Sequence, residues 1–393
     1  MTHPPGERGP LRILYFGTFD RAAGRNAILI EGLTAAGVDV ATCHVPLWRD
    51  TTAKLQAVSH GPGTAAVPVR QLLAWVRLTR AHARAGAYDA LVVGATAHLD
   101  LPLARRLASR RGRSLVFDPL VSLGETVRDR GLLPARSRRL AMLEALERRL
   151  FRLPDLCLAD TTAHAEAFQA ALGVDRCRLA VVPAGAPSIF RRLAPVYAPR
   201  DDGGFRVVYF GQFIPLHGLD VVLHAADRLR DRPDIGFELV GVGQKLAECQ
   251  ASARRLALPN VTFDPAWLPA EVLIKRHIAP ADLCLGVFGD QPKAGRVVPF
   301  KVYVALAAGR PVLTADTPAV REMLVPGDEV WTVPPADPAA LAGAIAQLAD
   351  RPGVRAGLAA RGQAAWEARF APAVLGMCFR GILEDRVSAH HAR

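Results

Sequence analysis

The chain has 393 residues, half of them hydrophobic and 22% charged, which excludes a disordered chain and suits two domains. Its formal net charge is +12, and only five of its 49 basic residues are lysine. This charge favours attraction to phosphates, nucleic acid or an anionic membrane, although a general coding preference for arginine produces the same composition. Residues 1–10 lack an apolar signal core and no segment is apolar enough to span a bilayer. We therefore expect a cytoplasmic protein with its six scattered cysteines reduced.

Short β-rich runs alternate with helical patterns through the first half of the chain, which is typical of a parallel sheet covered by helices. The predicted strands are Leu11–Phe16, Asp39–Val45, Ala90–Val93, Ser114–Phe117 and Leu156–Ala159. The predicted helices are Asn26–Ala36, Arg70–Ala85, Leu101–Ser109 and Ser137–Arg152.

A second series of strands follows a segment rich in Pro, Gly and Asp, Ala194–Gly204, which is predicted to be a linker. Its predicted strands are Phe205–Phe210, Gly236–Val240, Val261–Phe263, Leu283–Val287 and Pro311–Thr314. The pattern predicts an α/β protein with two Rossmann-like domains, residues 1–198 and 199–370, facing each other across a cleft. Residues 371–393 are expected to pack back on the first domain. Ligands of such sheets collect at the carboxyl ends of the strands, so the cleft is expected to hold the site.

Glycines follow three strands of the second half. They are Gly211, then Gly241 and Gly243, then Gly286 and Gly289. Each is consistent with a simple turn, and together they are consistent with a diphosphate site, because glycine lets the backbone approach a ligand closely.

A basic segment follows the fourth of these strands. Lys293, Arg296 and Lys301 fall within nine residues, and two of the five lysines of the chain stand here. Coding preference does not explain lysine at these positions, whereas an ammonium group at a helix start is a natural phosphate ligand. A solvated basic loop is the alternative. Glu322 lies beyond the next turn, where it is either a ligand for sugar hydroxyls or an ordinary helix residue.

Several motifs of the chain resemble those of a known enzyme family. The stretch ALAAGRPV (305–312), followed by TADTPAVRE (314–322), resembles the donor-site signature of retaining glycosyltransferases of family four, which have the GT-B fold. GQFIPLHG (211–218) resembles the phosphate turn of that family, and DLCLGVFGD (282–290) resembles the strand and loop before its donor helix. AHLDLPLAR (97–105), VFDPLVSL (116–123) and VVPAGAPSIF (181–190) fit a subgroup linked to exopolysaccharide and surface-glycan synthesis.

The resemblance covers roughly Leu11 to Phe370 and implies a transferase that moves a sugar from a nucleotide-diphosphate donor with retention, without a cofactor or a metal. The donor-binding residues that it implies are Gly17, Thr18, Gly211, Gln212, His217, Gly241, Gly243, Gly289, Lys293, Val297, Val298, Lys301, Val304 and Glu322. The catalytic candidates are His98, Asp100, Asp118, Arg296 and Lys301. No Asp-x-Asp motif lies near the donor segment, so no metal ligand is assigned.

The chain departs from the family at two glutamates. The family has a pair separated by seven residues, and Arg296 and Val304 stand at those positions here. The arginine and lysine of its phosphate turn are replaced by Gln212 and His217. One explanation is that the lost positive charge is replaced by Lys293, Arg296 and Lys301. Another is that the chain uses an unusual donor or has lost activity. The sequence leaves these alternatives open.

The acceptor is expected on the N-terminal domain. His98 and Asp100 follow the strand Ala90–Val93, and Asp118 follows Ser114–Phe117. A loop histidine without a role and a helix-capping aspartate are the structural alternatives for His98 and Asp118. Gly17 and Thr18 follow the first strand and are expected to lie opposite the donor phosphates.

The stretch Arg128–Arg152 carries eight arginines, and Leu140, Leu143, Leu146 and Leu150 recur at near-helical spacing. It is read either as a surface helix packed on the core or as a basic face resting on anionic lipid beside a lipid-linked acceptor. The second reading places the enzyme at the inner face of the plasma membrane. We expect no nucleic-acid partner, since no helix-turn-helix, zinc or RNA-binding motif occurs.

Two other functions remain as alternatives. One is a non-catalytic GT-B-like scaffold or sugar-binding partner in a glycan-synthesis complex, which Val304 favours. The other is a nucleotide-binding oxidoreductase, which is disfavoured because GTFDRAAG (17–24) does not have the GxGxxG spacing.

Overall fold

A computed structural model describes residues 10–19, 24–47, 66–200 and 203–391 of the chain. Most of the N-terminal segment 1–10 and Asp201–Asp202 of the predicted linker lie outside these ranges. The chain divides into two compact units. The first comprises the described residues of Met1–Asp160, His164–Pro183 and Pro372–Arg393, and the second those of Thr161–Ala163 and Ala184–Ala371.

The first unit is built on a sheet of six parallel strands in the order β2-β1-β3-β4-β5-β6. The strands are β1 Arg12–Gly17, β2 Asp39–His44, β3 Ala90–Val93, β4 Ser114–Phe117, β5 Leu156–Ala159 and β6 Leu179–Val181. The central strands β3, β4 and β5 are buried along their whole length, which explains their continuous apolar runs.

The second unit has its own six-stranded parallel sheet, in the order β12-β11-β10-β7-β8-β9. The strands are β7 Phe205–Phe210, β8 Ile235–Val240, β9 Val261–Asp264, β10 Leu283–Leu285, β11 Val312–Ala315 and β12 Trp331–Val333. Counted from β7, this is the strand order of the dinucleotide-binding Rossmann sheet. Each unit has a separate buried apolar cluster.

Fifteen described α-helices connect the strands. They are α1 Gly24–Ala35, α2 Ala66–Arg84, α3 Leu101–Arg110, α4 Leu123–Asp129, α5 Arg138–Leu150, α6 Thr162–Leu172, α7 Ile189–Leu193, α8 Leu219–Arg228, α9 Leu246–Arg255, α10 Ala270–Leu273, α11 Phe300–Ala307, α12 Pro318–Met323, α13 Pro338–Ala349, α14 Pro352–Ala365 and α15 Pro372–His391. Short 3-10 turns occupy His98–Asp100, Arg176–Arg178 and Pro215–His217, and π turns follow α10 and α14. Within the described ranges, none of these helices is both long and apolar enough to cross a bilayer.

The final helix α15 packs on α1 in the first unit. The contact is close because two glycines meet there: a Cβ built on Gly376 falls 1.9 Å from the carbonyl oxygen of Gly32. No larger residue fits at either position while the two helix backbones stay this close.

The segment between the two sheets packs on the second unit. In α7, Phe190 is buried, and beyond it Pro195 accepts a hydrogen bond of 2.8 Å from the Arg310 side chain. Tyr197 accepts a hydrogen bond of 3.1 Å from the Arg355 side chain. The chain passes from the first unit to the main part of the second after Pro183, whereas the sequence places this boundary after residue 198.

The helix predicted at Ser137–Arg152 is observed as α5, but the longer stretch Arg128–Arg152 is not one continuous helix. This stretch contains the end of α4 and all of α5, separated by a turn in which Gly131 has φ +62°. Pro134 follows, and Ser137 caps α5 by accepting a hydrogen bond from the Leu140 amide. Glycine with positive φ, a proline and a new N-cap are standard helix-ending signals, so one helix cannot run through.

Candidate functional site

The strand order of the second sheet reverses between β7 and β10, and such a switch point opens a crevice at the carboxyl ends of the two strands. The chain leaves β7 at Gly211 and leaves β10 at Gly286. The loops that follow touch each other, because the Phe288 amide donates a hydrogen bond of 3.1 Å to the His217 carbonyl oxygen. The glycine turns and the basic segment therefore meet in one place within the second unit.

The glycines of these loops are required mainly by packing between loops. A Cβ on Gly241, where φ is +138°, would fall 1.9 Å from the Gly211 carbonyl oxygen. One on Gly289 would fall 2.5 Å from the Leu216 carbonyl oxygen. Gly243 lies in the same loop as Gly241, and its carbonyl oxygen accepts a hydrogen bond from the Leu246 amide at the start of α9. At Gly241 and Gly289, the group that lies close to the glycine is therefore the backbone of a neighbouring loop.

Lys301 lies at the start of α11 with its side chain directed at the turn after β7. A Cβ on Gly211 would be 3.5 Å from Lys301 Nζ, which also lies 3.7 Å from the centre of the Tyr209 ring. The lysine is 6% exposed, and burial lowers its pKa well below the usual value. Among the residues that the structure describes, no carboxylate forms an ion pair with it.

Tyr209 and His217 complete the surroundings of this ammonium group. The Tyr209 hydroxyl donates a hydrogen bond of 2.6 Å to the Gln212 carbonyl oxygen. His217 Nδ1 lies 2.7 Å from that hydroxyl and 3.3 Å from Lys301 Nζ. Nδ1 also lies 2.6 Å from the Gln212 carbonyl oxygen, and a ring proton on Nδ1 is donated to that oxygen. Gln212 contributes its backbone to this cluster, and burial raises the pKa of Tyr209 well above 10.

The loop before α11 contains the other basic candidates. Lys293 is buried, as is Val298, whereas Val297 is half-buried. Arg296 bends back on its own loop, since its Nε donates a hydrogen bond of 3.1 Å to the Pro292 carbonyl oxygen. Val304 is 1% exposed within α11.

Glu322 is an exposed residue of α12. Its Oε1 accepts a hydrogen bond of 2.7 Å from the Thr162 amide. Thr161 donates its hydroxyl to the Arg296 carbonyl oxygen at 2.5 Å. The short segment Thr161–Ala163 belongs to the second unit and is held there by these two contacts.

In the first unit, Gly17, Thr18 and Asp100 come together at the carboxyl end of β1. Asp100 Oδ2 accepts hydrogen bonds from the Thr18 amide at 2.6 Å and the Thr18 hydroxyl at 2.7 Å. Its Oδ1 accepts from Gln71 Nε2 at 2.6 Å and Trp75 Nε1 at 3.0 Å. Burial raises the pKa of Asp100, and the four hydrogen bonds act in the opposite direction. This carboxylate ties α2 to the loop after β1.

His98 is buried beside Asp100 but faces the aromatic layer of the first unit. Its ring centre lies 5.0 Å from that of Phe117 and 6.0 Å from that of Phe151. Its Nε2 lies 2.9 Å from the Val121 carbonyl oxygen and 3.9 Å from Glu147 Oε1. These contacts fix the ring between the 3-10 turn and α5.

Asp118 forms a buried ion pair with Arg25. Arg25 Nε lies 2.9 Å from Asp118 Oδ2, and both side chains are at most 2% exposed. Arg25 also donates a hydrogen bond to the Pro183 carbonyl oxygen. The pair joins the start of α1 to the ends of β4 and β6, and Asp118 is not a helix cap.

The predicted residues thus form two groups, one in each unit. Gly211, Gln212, His217 and Lys301 form the tightest group, at the switch point of the second sheet. Tyr209 was not among the residues predicted from the sequence. It lies one residue before the end of a strand that leads into a glycine turn, and this position could have indicated a residue of the site. The sequence reasoning also missed Gln71 and Trp75, whose pairing with Asp100 has no local signal.

A family model described as "Glycosyl transferases group 1" matches residues 204–351, which lie in the second unit. None of the curated proteins matches the chain.

Solved structures match nearly the whole chain. HepE of Anabaena, in complex with UDP and glucose, is 18% identical with a TM-score of 0.68, covering 95% of this chain and 100% of that one. Sucrose-phosphate synthase from Thermosynechococcus elongatus is 18% identical with a TM-score of 0.69, covering 97% and 100%. A glycosyltransferase from Rickettsia africae is 11% identical with a TM-score of 0.64, covering 96% and 99%. The predicted fold class is confirmed: the chain has two parallel α/β sheets and the GT-B fold of these glycosyltransferases.

Proposed function

We propose that the protein is a glycosyltransferase that binds a nucleotide-diphosphate sugar in its second unit and transfers the sugar to a glycan or lipid-linked acceptor. The observation that carries the proposal is Lys301, a buried ammonium group at the switch point without a carboxylate partner among the described residues. The match of residues 204–351 to the group 1 model and the UDP complex of HepE, a fold neighbour, support the same donor class.

A diphosphate suits this position for electrostatic reasons. Burying an ammonium group without a counter-charge is unfavourable, and a phosphate at Gly211 would remove that cost. The start of α11 adds the partial positive charge of a helix N-terminus, and Pro299 at its N-cap offers no side-chain acceptor to the first amides. The cluster of Lys301, His217 and the glycine turn therefore favours an anion of high charge.

The chemistry follows from this charge. The bond between the sugar carbon and the diphosphate oxygen breaks while the acceptor oxygen bonds to the same carbon on the same face. The acceptor proton passes to the departing diphosphate, so no side chain has to act as a base. Lys301 stabilises the negative charge that develops on the leaving group, which is the step where a fixed positive charge accelerates the reaction. We propose that the reaction retains the configuration, as in family four, and needs neither metal nor cofactor.

The first unit is proposed to hold the acceptor. Its candidate side chains Asp100, His98 and Asp118 are each held by partners within the unit, and we assign them the positioning of nearby loops. The surplus of arginine favours an acceptor held at an anionic membrane over a freely diffusing one. The proposed location is therefore the cytoplasm, at the inner face of the plasma membrane, in surface-glycan synthesis and without a nucleic-acid partner.

A thermal-shift screen tests the donor class. The full chain is heated with UDP, GDP, dTDP or ADP, because a nucleotide that binds only the folded state raises the melting temperature. We expect one nucleotide to stabilise the protein, the Lys301→Met variant to lose the shift, and the variant of exposed Lys275, Lys275→Met, to keep it. If no nucleotide stabilises the wild type at millimolar concentration, the non-catalytic scaffold, which the buried Val304 favours, replaces this proposal.

A further inference from the structure

Helix α2 has a second apolar face that is exposed, in addition to the face that packs Ala74 and Leu78 into the core. Val69, Leu72, Leu73 and Val76 have the spacing of one helical face, and all four are exposed, Leu72 by 62%. The buried face of the helix contains polar Gln71 and His82, which bond to Asp100 and Tyr88. Within the described ranges of the first unit, the four side chains of this apolar stripe therefore stay exposed.

Two neighbouring elements extend the exposed apolar surface. Leu99 is exposed in the 3-10 turn between His98 and Asp100, and Met142 and Leu146 are exposed on α5, Met142 by 72%. Asp100 bonds to α2, and His98 lies against Glu147 of α5, so the turn stands between the two helices. Seven of the thirteen exposed large apolar side chains in the described ranges lie on these three elements.

The charges around this surface have one sign. Exposed arginines flank it on both helices: Arg70, Arg77, Arg80 and Arg84 on α2, and Arg138, Arg139, Arg148 and Arg149 on α5. Helix α2 contains no acidic residue. In α5, Glu147 is buried and accepts hydrogen bonds from the Leu123 and Gly124 amides, and Glu144 pairs with Arg128.

We propose that the surface formed by α2, residues 98–100 and α5 docks on an anionic lipid bilayer. An exposed apolar stripe beside unopposed arginines is the pattern of a helix that lies in the membrane interface, where apolar side chains enter the lipid and arginines contact phosphates. The inference rests on the proposed function only in the expectation of a membrane-held acceptor. From the stretch Arg128–Arg152 it takes only the exposed side of α5, because Leu140 and Leu150 are buried in the core, and it adds α2 and Leu99.

Co-sedimentation of the full chain with vesicles tests the docking surface. We expect binding to vesicles of phosphatidylcholine with phosphatidylglycerol at low salt, and none to phosphatidylcholine alone. The apolar variant is Leu72→Ser, Leu73→Ser and Val76→Ser; its matched control replaces exposed apolar residues elsewhere, Val196→Ser, Val325→Ser and Met377→Ser. The charge variant is Arg70→Gln, Arg77→Gln and Arg80→Gln, and its control is Arg254→Gln, Arg255→Gln and Arg276→Gln.

The charge variant should bind anionic vesicles about 100-fold more weakly, since each of its three arginines near the surface is worth about a factor of five at low salt. The apolar variant should lose binding by about tenfold or more, and both controls should bind as the wild type does. Absence of wild-type binding, or an equal loss in a control, would overturn the proposal. So would a wild-type dimer that only the α2 variants dissociate, because a second copy would then cover the stripe. All four variants should keep the nucleotide-induced thermal shift, so failure of the donor proposal and failure of docking are separate results.

Discussion

Replacing Lys301 with methionine should stabilise the ligand-free protein and weaken nucleotide binding. The side chain is buried against the Tyr209 ring, with His217 Nδ1 at 3.3 Å and no ion-pair partner in the described part of the chain. Methionine has a similar length and no charge to desolvate. We expect the free energy of unfolding to rise by about 1–3 kcal/mol at neutral pH, by comparison with other buried charges replaced by apolar residues. Nucleotide affinity should fall by about 10- to 100-fold, the equivalent of one charge-assisted hydrogen bond.

The stability of the wild-type protein should depend on pH through the protonation of Lys301. Burial lowers the pKa of Lys301 in the folded protein, whereas in the unfolded chain it is about 10.4. Between those two values the unfolded chain holds one proton more, so wild-type stability rises with pH across that window and falls as the pH drops through it. Lys301→Met lacks this contribution. A bound diphosphate restores the charge, so binding takes up a proton and weakens as the pH rises above the folded-state pKa.

Urea unfolding at several pH values measures the first effect, and calorimetric titration in two buffers of different ionisation enthalpy measures the proton uptake. The Lys275→Met protein is the matched control, because the same substitution at an exposed position should change neither quantity. A Lys301→Met protein that is less stable than the wild type but binds nucleotide equally well would refute the argument. Lys301 would then be a structural partner of Tyr209 and not a phosphate ligand.

Three further predictions concern the rest of the chain. Asp100→Asn should lower the free energy of unfolding, measured in urea, by about 3 kcal/mol, because the amide nitrogen of asparagine would face two of the four hydrogen-bond donors. Unchanged stability together with lost sugar transfer would show a catalytic role instead. Gly376→Ala should lower the melting temperature, since its Cβ would collide with Gly32, whereas Gly381→Ala on the same helix, with no atom within 4 Å, should be neutral or stabilising. A chelator should leave the transfer rate unchanged, and a rate restored only by Mg²⁺ or Mn²⁺ would contradict the proposed metal independence.

The strands of both sheets are well predicted by the sequence where they are buried on both faces. Ala90–Val93 and Phe205–Phe210 are observed at the predicted residues. A strand buried in a parallel sheet is a continuous apolar run, and the glycine or polar residues beside the run mark where the strand ends. The three-residue strands Leu179–Val181 and Trp331–Val333 are missed, since a run that short carries too few residues to show a period.

The site is predictable only where its residues are close to strand ends. Lys301 and Gly211 could be placed together because parallel strands bring their carboxyl ends to one edge of a sheet. The four donors of Asp100 could not, since Trp75 lies 25 residues away in sequence and Thr18 lies 82 residues away. Pairings of that kind depend on the tertiary fold, and for Asp100 they place two donors on each carboxylate oxygen.

Val304 and Lys301 are neighbours on helix α11. Val304 lies three residues after Lys301 in α11, and residues at that spacing are neighbours on one face of a helix. A glutamate at 304 would therefore stand beside the buried ammonium group and partly neutralise it. With valine at that position no carboxylate offsets the burial of Lys301, so a bound diphosphate supplies the whole counter-charge, while the hydrogen bonds that a glutamate would make to a ribose are absent. We therefore expect this protein to derive more of its donor affinity from the diphosphate, and to discriminate less between ribose and modified ribose, than a relative that carries the glutamate.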